Sequence, residues 1–436
     1  SILLLMLILG LNQSQGQSDL GTFLRQGKLQ GHGRIFTLST FNMDGLKDFT
    51  STAFGARIGY ISTSYQGLSF EFSYDYVTEI YSSSLFSESN DSLGKSKWEL
   101  ELYDIETPQK RFGIGRLGKA FVQYENPKFQ LRLGRQDLNT PLLNKRDGRL
   151  MSFQFGGAYG SWKLTKCLNM NFGWVQSVGI RSVGTWYSFN DAIGKVGKGR
   201  TSQGAKGNYQ GLTGSNGIGI ISLQYKGQNS AIELWNFHLD NINTTYWLEG
   251  HKGFENLELG LQVVAQGPVK DASGDYLQGN GDSRLAGAQV KYSIDDNKNI
   301  SLSGTLIDKH GKFLFPRELG REKLFTSMPR HWLEGLAKTK AYTLKWNSMK
   351  KYSKNAIGLS YVDAPEQEDF PNNKYLISDH IHLNIQQRWY PKQFKDKLVL
   401  ELLYVFRKNL VASYSPAVTF NKTNYNQVNL IGTLAF

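Results

Sequence analysis

Three observations predict an all-β fold, a transmembrane antiparallel β-barrel. Short segments alternate polar and apolar residues, the composition is rich in glycine and aromatics, and only one long apolar run is present. The 436 residues include 46 Gly, 25 Phe, 22 Tyr and 9 Trp but only 10 Pro, and mean hydropathy is negative. A helical membrane protein of this length would carry several apolar runs of about 20 residues. A soluble two-domain enzyme would show long stretches of i, i+3, i+4 apolar spacing, and these are hard to find here. A barrel with lipid outside and water inside reconciles a polar average with abundant aromatics.

The first segment, SILLLMLILGL from Ser1 to Leu11, has the length of a signal-peptide core and is too short to span a bilayer. A polar stretch follows, with Ser14 and Gly16 as the small residues of a cleavage site. Residues 1–16 therefore read as a slightly truncated signal peptide, and 17–436 as one barrel domain. Export agrees with the lone Cys167, which has no intramolecular disulfide partner.

Strand parity carries the argument. Successive side chains of a strand point to opposite faces, so a membrane barrel should alternate over about 10 residues. In Leu68 to Tyr76, Leu68, Phe70, Phe72, Tyr74 and Tyr76 share one face, while Ser69, Glu71, Ser73 and Asp75 share the other. Ile381, Leu383, Ile385 and Trp389 alternate with His382, Asn384, Gln386 and Arg388. Leu398, Leu400, Leu402, Tyr404 and Phe406 alternate with a face that includes Glu401 and Arg407. The last run sets Asn426, Val428, Leu430, Gly432, Leu434 and Phe436 on one face, and its terminal aromatic fits the insertion signature of bacterial outer-membrane proteins. Polar turns such as 125–128 and 295–298 separate alternating runs, whereas 82–97, 194–216, 270–283 and 364–374 read as long external loops. About 420 residues after the leader, at roughly 22 to 26 per strand and connection, give 16 or 18 strands, and 18 fits better.

A barrel this wide keeps an aqueous lumen. Formal net charge is +13, from 50 Lys+Arg against 37 Asp+Glu. Parity turns several cations inward, among them Arg34, Arg57, Arg132, Lys291, Arg388 and Arg407. An arginine on the lipid face near the midplane would cost about 2 to 4 kcal/mol, which favours the inward assignment. An inward basic set attracts anions. Glu71, Glu258 and Glu401 are also placed to neutralise individual members across the wall.

Two segments break the alternation, Leu133–Leu150 and Phe315–Gly335. Each mixes charges of both signs with Pro and with large apolar residues (Leu142 and Leu143, Phe325 and Trp332) that a solvated loop has no use for. Both are expected to fold into the barrel and narrow it.

GRQDLNTPLLNKRDGR and FPRELGREKLFTSMPR within these segments, together with the last strand, resemble the OprD-type family of outer-membrane porins. The resemblance runs over essentially the whole chain after the leader. It implies an 18-stranded monomeric barrel, a constriction formed by inward loops, and basic lumen residues that guide the carboxylate of small organic acids or amino acids. Carried onto the matching segments, it selects Arg132, Arg135, Arg146, Arg149, Arg317 and Arg321 as constriction residues. Arg34, Arg57 and Arg388 rest on parity.

The expectation is a passive channel for small hydrophilic solutes, anionic or zwitterionic, in the bacterial outer membrane, with lipid as its other partner. The competing reading is a structural or adhesive barrel without an open channel. A barrel enzyme is further off, because no G-x-S-x-G occurs and 194–202 fails the phosphate-loop spacing. His380 and His382 share a face, but no third ligand of suitable spacing follows, so neither a metal nor a cofactor is expected. The cations are dispersed among strands without a nucleic-acid motif. Only about 15 residues lie between the cleavage site and the first strand-like run, too few for the plug of a gated transporter.

Overall fold

The computed structural model describes residues 25–43, 45–86, 95–146, 148–270, 272–277, 281–411 and 419–436. The expected leader, 1–16, lies outside the described residues.

Long alternating runs become long strands. The wall begins with β1 (Lys28–Asn42), β2 (Phe49–Ile61), β3 (Leu68–Ser82) and β4 (Ile114–Glu125). It continues through β5 (Phe129–Gln136), β6 (Gln154–Lys163) and β7 (Leu168–Gly179). A three-residue β8 (Trp186–Ser188) pairs with the end of β7. Next come β9 (Ile218–Lys226), β10 (Ser230–Leu239), β11 (Asn243–Phe254) and β12 (Leu257–Pro268). Then follow β13 (Ser283–Asp295), β14 (Lys298–Ile307), β15 (Thr339–Lys350) and β16 (Ser353–Asp363). The last three are β17 (His380–Trp389), β18 (Leu398–Asn409) and β19 (Tyr425–Ala435).

Without β8, eighteen strands pair antiparallel with their neighbours and close into a ring. β19 pairs back onto β1 from His32↔Ala435 to Asn42↔Tyr425. Phe436 extends that seam by exchanging backbone hydrogen bonds with Gly31 at 3.0 and 3.1 Å. Closure leaves no open sheet edge, as strands that cross a bilayer require.

Burial follows the expected parity. Tyr74 is 52% exposed on β3, with Ser73 and Asp75 buried beside it. Leu302, Tyr246 and Leu430 belong to an outward apolar surface that runs round the wall. An outer face of this kind matches the apolar band of a bilayer-spanning barrel.

The two ends of the barrel differ. One carries tight connections, including the two-residue turns 255–256, 296–297 and 351–352. The other carries the long segments 83–113, 137–153, 180–217, 308–338, 364–379 and 410–424. Their apolar residues pack on the inner wall in two clusters. Trp98, Leu100, Leu102, Tyr103 and Leu150 lie against Phe36, Leu38, Val77 and Val405. Leu142, Leu143, Phe313, Phe315, Leu319 and Leu324 lie against Val175, Phe237, Trp247 and Val264.

Two expectations need correction here. The first irregular segment starts later than Leu133, because β5 runs on to Gln136. The stretch 82–97, read as an external loop, leads directly into Trp98–Tyr103, which is buried inside the barrel. Besides the two expected, 137–153 and 308–338, the connections 83–113 and 180–217 therefore also reach the lumen from this side.

Candidate functional site: a basic cavity in the lumen

The inward loops leave a cavity of about 550 Å³. Three connections and the inner faces of two strands supply its cations. Arg34 comes from β1 and Arg388 from β17, both on inward parity; Arg146 and Arg149 come from 137–153, Arg181 from 180–217, and Arg321 and Arg330 from 308–338. The acidic side chain on the lining is Glu401 of β18. Trp98, Trp332 and Phe36 form the apolar part of the wall.

Neighbouring groups hold the arginines in place. Arg34 donates from Nη1 to the Arg149 carbonyl at 2.8 Å and from Nε to Thr433 Oγ1 at 3.0 Å. Arg149 and Arg181 converge on one oxygen of Glu101, at 2.8 and 3.0 Å. Arg330 donates to Gln427 at 2.8 Å and to Asn429 at 3.0 Å, and lies 5.1 Å from the Trp98 ring centroid. Arg388 donates to Glu401 at 2.7 Å. Arg321 stacks 4.8 Å from the Trp332 ring, and its Nη1 has no hydrogen-bond partner among the described residues. These contacts fix direction while leaving net positive charge on the lining, since seven guanidinium groups face one lining carboxylate.

Burial pushes the Glu101 carboxyl up, but Arg181 and Arg149 outweigh it and hold the group below the ordinary carboxylate range. It is therefore an anion at neutral pH, set behind the lining. Lys97, on the same connection, is pushed down to about 7 by burial and by Arg317, Arg321 and Arg407, with Glu101 opposing. Glu99 is pushed up to about 7 by burial, against hydrogen bonds from Ser96 and Thr40.

Of the nine arginines expected at the constriction, Arg34, Arg146, Arg149, Arg321 and Arg388 line the cavity. Arg57 faces inward but is engaged bidentately by Asp75, at 2.5 and 2.9 Å. Arg132 also faces inward, donating to Gln123 at 2.6 Å, away from the cavity. Arg317 sits behind the lining: it pairs with Glu334 at 2.8 Å and lies between the rings of Tyr375 and Trp332, 3.4 and 4.7 Å away.

Arg135 is a correction. It shares the parity of the exposed Leu133, pairs across the ladder with Ala120 and Gly156, and lies 4.6 Å over Trp186. It therefore faces away from the lumen, because β5 runs on to Gln136, three residues past Leu133, and its alternation covers this position.

Arg181 and Arg330 were not selected from sequence. Arg330 lies in the second irregular segment, where its sign was visible but its direction was not. Arg181 follows β7 in a stretch without an irregular-loop signature, and only the shared carboxylate of Glu101 brings it in. The third histidine near His380 and His382 is His331, with ring centroids 6.2 and 5.7 Å away. Arg407 donates to His380 Nε2 at 2.9 Å, so this cluster is tied to a cation. No group of three or more metal-binding side chains is poised for a metal among the described residues.

No family model matches the sequence, and no curated protein matches it. Solved structures do match the fold. Pseudomonas aeruginosa OccK9 (OpdG) superposes with a TM-score of 0.73 over 95% of this chain and 99% of its own, at 14% identity. Acinetobacter baumannii OccAB2 gives the same figures: TM-score 0.73, 95% and 99% coverage, 14% identity. Pseudomonas aeruginosa OpdK, solved with vanillate, gives 0.68 over 95% and 99%, at 13% identity. The fold is that of the OprD-type porins. At this identity the likeness carries the architecture and not the role of any residue.

Proposed function

We propose that the protein is an outer-membrane channel through which small hydrophilic solutes diffuse passively, with carboxylate-bearing solutes favoured. One observation carries this reading: seven arginines from strands and loops far apart in sequence surround a single lumen cavity against one lining carboxylate. Packed wall and loops hold these donors in fixed directions around one cavity, so their fields add there and attract anions. Guanidinium groups also match a carboxylate in shape, since two parallel N–H donors meet its two oxygens. OpdK, with the same fold, was solved with vanillate, itself a carboxylate.

The outward apolar surface supports the membrane setting, and the closed ring supports a channel that needs no second chain. Planar-bilayer recording tests the proposal. Unitary conductance steps with a reversal potential on the anion side in a salt gradient are expected. A barrel without steps, or one that prefers cations, overturns it.

A further inference from the structure

The rim formed by the short turns carries a second group of cations, none of them on the lining of the lumen cavity. Two neighbouring turns hold it, 351–352 between β15 and β16 and 390–397 between β17 and β18. Tyr390 donates its backbone N–H to the Tyr352 carbonyl at 3.0 Å and so ties them together. Lys350, Lys351, Lys392 and Lys395 are exposed, and none has an ion-pair partner among the described residues.

The ammonium groups of Lys351 and Lys392 lie 5.3 and 4.8 Å from the same Tyr352 ring. Like charges held side by side repel each other, and an anion between them reverses that sign. The acid within the two turns is Asp396, which is itself exposed. Trp389 and Phe394, 38% and 45% exposed, stand beside the lysines where the apolar outer wall ends. Aromatic side chains at that level with lysines just beyond them suit the boundary between acyl chains and headgroups.

We propose that this patch binds the phosphate of an anionic phospholipid in the leaflet that meets the short-turn rim. In bacterial barrels that rim is the periplasmic one. The lysines take the phosphate while Trp389 and Phe394 contact the glycerol and upper acyl region. The assignment rests on the membrane-barrel reading and is independent of which ions the lumen prefers.

Native mass spectrometry of the full-length chain in detergent tests it, with phosphatidylglycerol and phosphatidylethanolamine offered at equal concentration. Wild type should retain phosphatidylglycerol in preference. The variant K350Q/K351Q/K392Q/K395Q should lower that retention by about tenfold or more, as expected for several lysines at an anionic surface. Equal retention of both lipids by wild type, or unchanged retention by a folded variant, overturns the proposal. Should the variant not fold, wild type at low and high salt decides: a preference that vanishes in high salt supports the patch, and one that persists sinks it. Bilayer conductance of wild type, recorded separately, reports on the channel reading alone.

Discussion

Arg149 and Glu101 form an ion pair 2.8 Å long, with the arginine side chain fully removed from solvent and the carboxylate 9% exposed. The pair joins the connection 137–153 to the connection 83–113, and Arg181 brings a third segment to the same oxygen. Replacing Glu101 by Gln leaves two buried guanidinium groups facing each other without an anion. Removing one partner of a buried pair costs about 3 to 5 kcal/mol. A lowered thermal midpoint and noisier single-channel current are expected for E101Q, and wild-type values in both would show the pair to be dispensable. The pair should also resist acid. Because the folded pKa is depressed, its contribution holds above the unfolded value and is lost only as pH falls through the folded one.

Lys97 and Glu99 predict a pH dependence near neutrality, since both are brought to about 7. Below that pH Lys97 is charged and Glu99 neutral; above it Lys97 is neutral and Glu99 charged. Lys97 lies over the rings of Trp98 and Trp332, both on the cavity wall, so the lumen feels the change. Anion preference should therefore fall as pH rises from about 6 to about 8, read as a shift of reversal potential. Stability should change little in the same window, because the two groups act in opposite directions. Depressed Lys97 contributes above its folded pKa and raised Glu99 below its own. The double variant K97M/E99Q should flatten the selectivity profile; a profile that keeps its slope would assign the titration elsewhere.

The wall of the barrel was legible in the sequence because period-two alternation is a local property. β3, β17 and β19 could be oriented from their own residues, and so could Arg34, Arg57, Arg132 and Arg388. Long-range convergence was not legible. Glu101 gathers Arg149 from 48 residues away and Arg181 from 80, and nothing in either neighbourhood announces it. Arg135 shows the opposite error, in which loop composition masked a strand that still alternated. Of the six arginines that the resemblance to a porin family selected, Arg146, Arg149 and Arg321 lie on the cavity lining, whereas Arg317 stands behind Trp332 and Arg132 and Arg135 lie away from the cavity.

Two glycines on the inner wall show how the connection 308–338 is seated. A Cβ at Gly260 would come within 2.8 Å of Phe325, and one at Gly358 would run into Met328 Sδ. Both positions let loop side chains approach the wall backbone. Gly260→Val should displace Phe325, costing about 1 to 3 kcal/mol by overpacking. Gly358→Leu should displace Met328, which lines the cavity. An altered unitary conductance is expected for G358L, whereas G260V should act mainly on the thermal midpoint. Identical conductance in G358L and wild type would mean that Met328 relaxes without moving the lining.

Arg321 and Arg135 provide the sharpest comparison within one experiment, since both came from irregular segments and the structure places them on opposite sides of the wall. Arg321 lines the cavity with a free donor nitrogen, and Arg135 lies outside it over Trp186. A unit charge about 6 Å from a passing ion, screened as in water, is worth about 0.7 kcal/mol. R321Q should therefore lower the anion-to-cation permeability ratio by a factor of about ten, since the anion loses about threefold and the cation gains about threefold. R135Q removes the same formal charge and should leave that ratio unchanged, because lumen water and the barrel wall lie between it and the ion path. Equal shifts in the two variants would trace selectivity to overall charge and not to the lining, and the arginine-lined cavity would lose its proposed role.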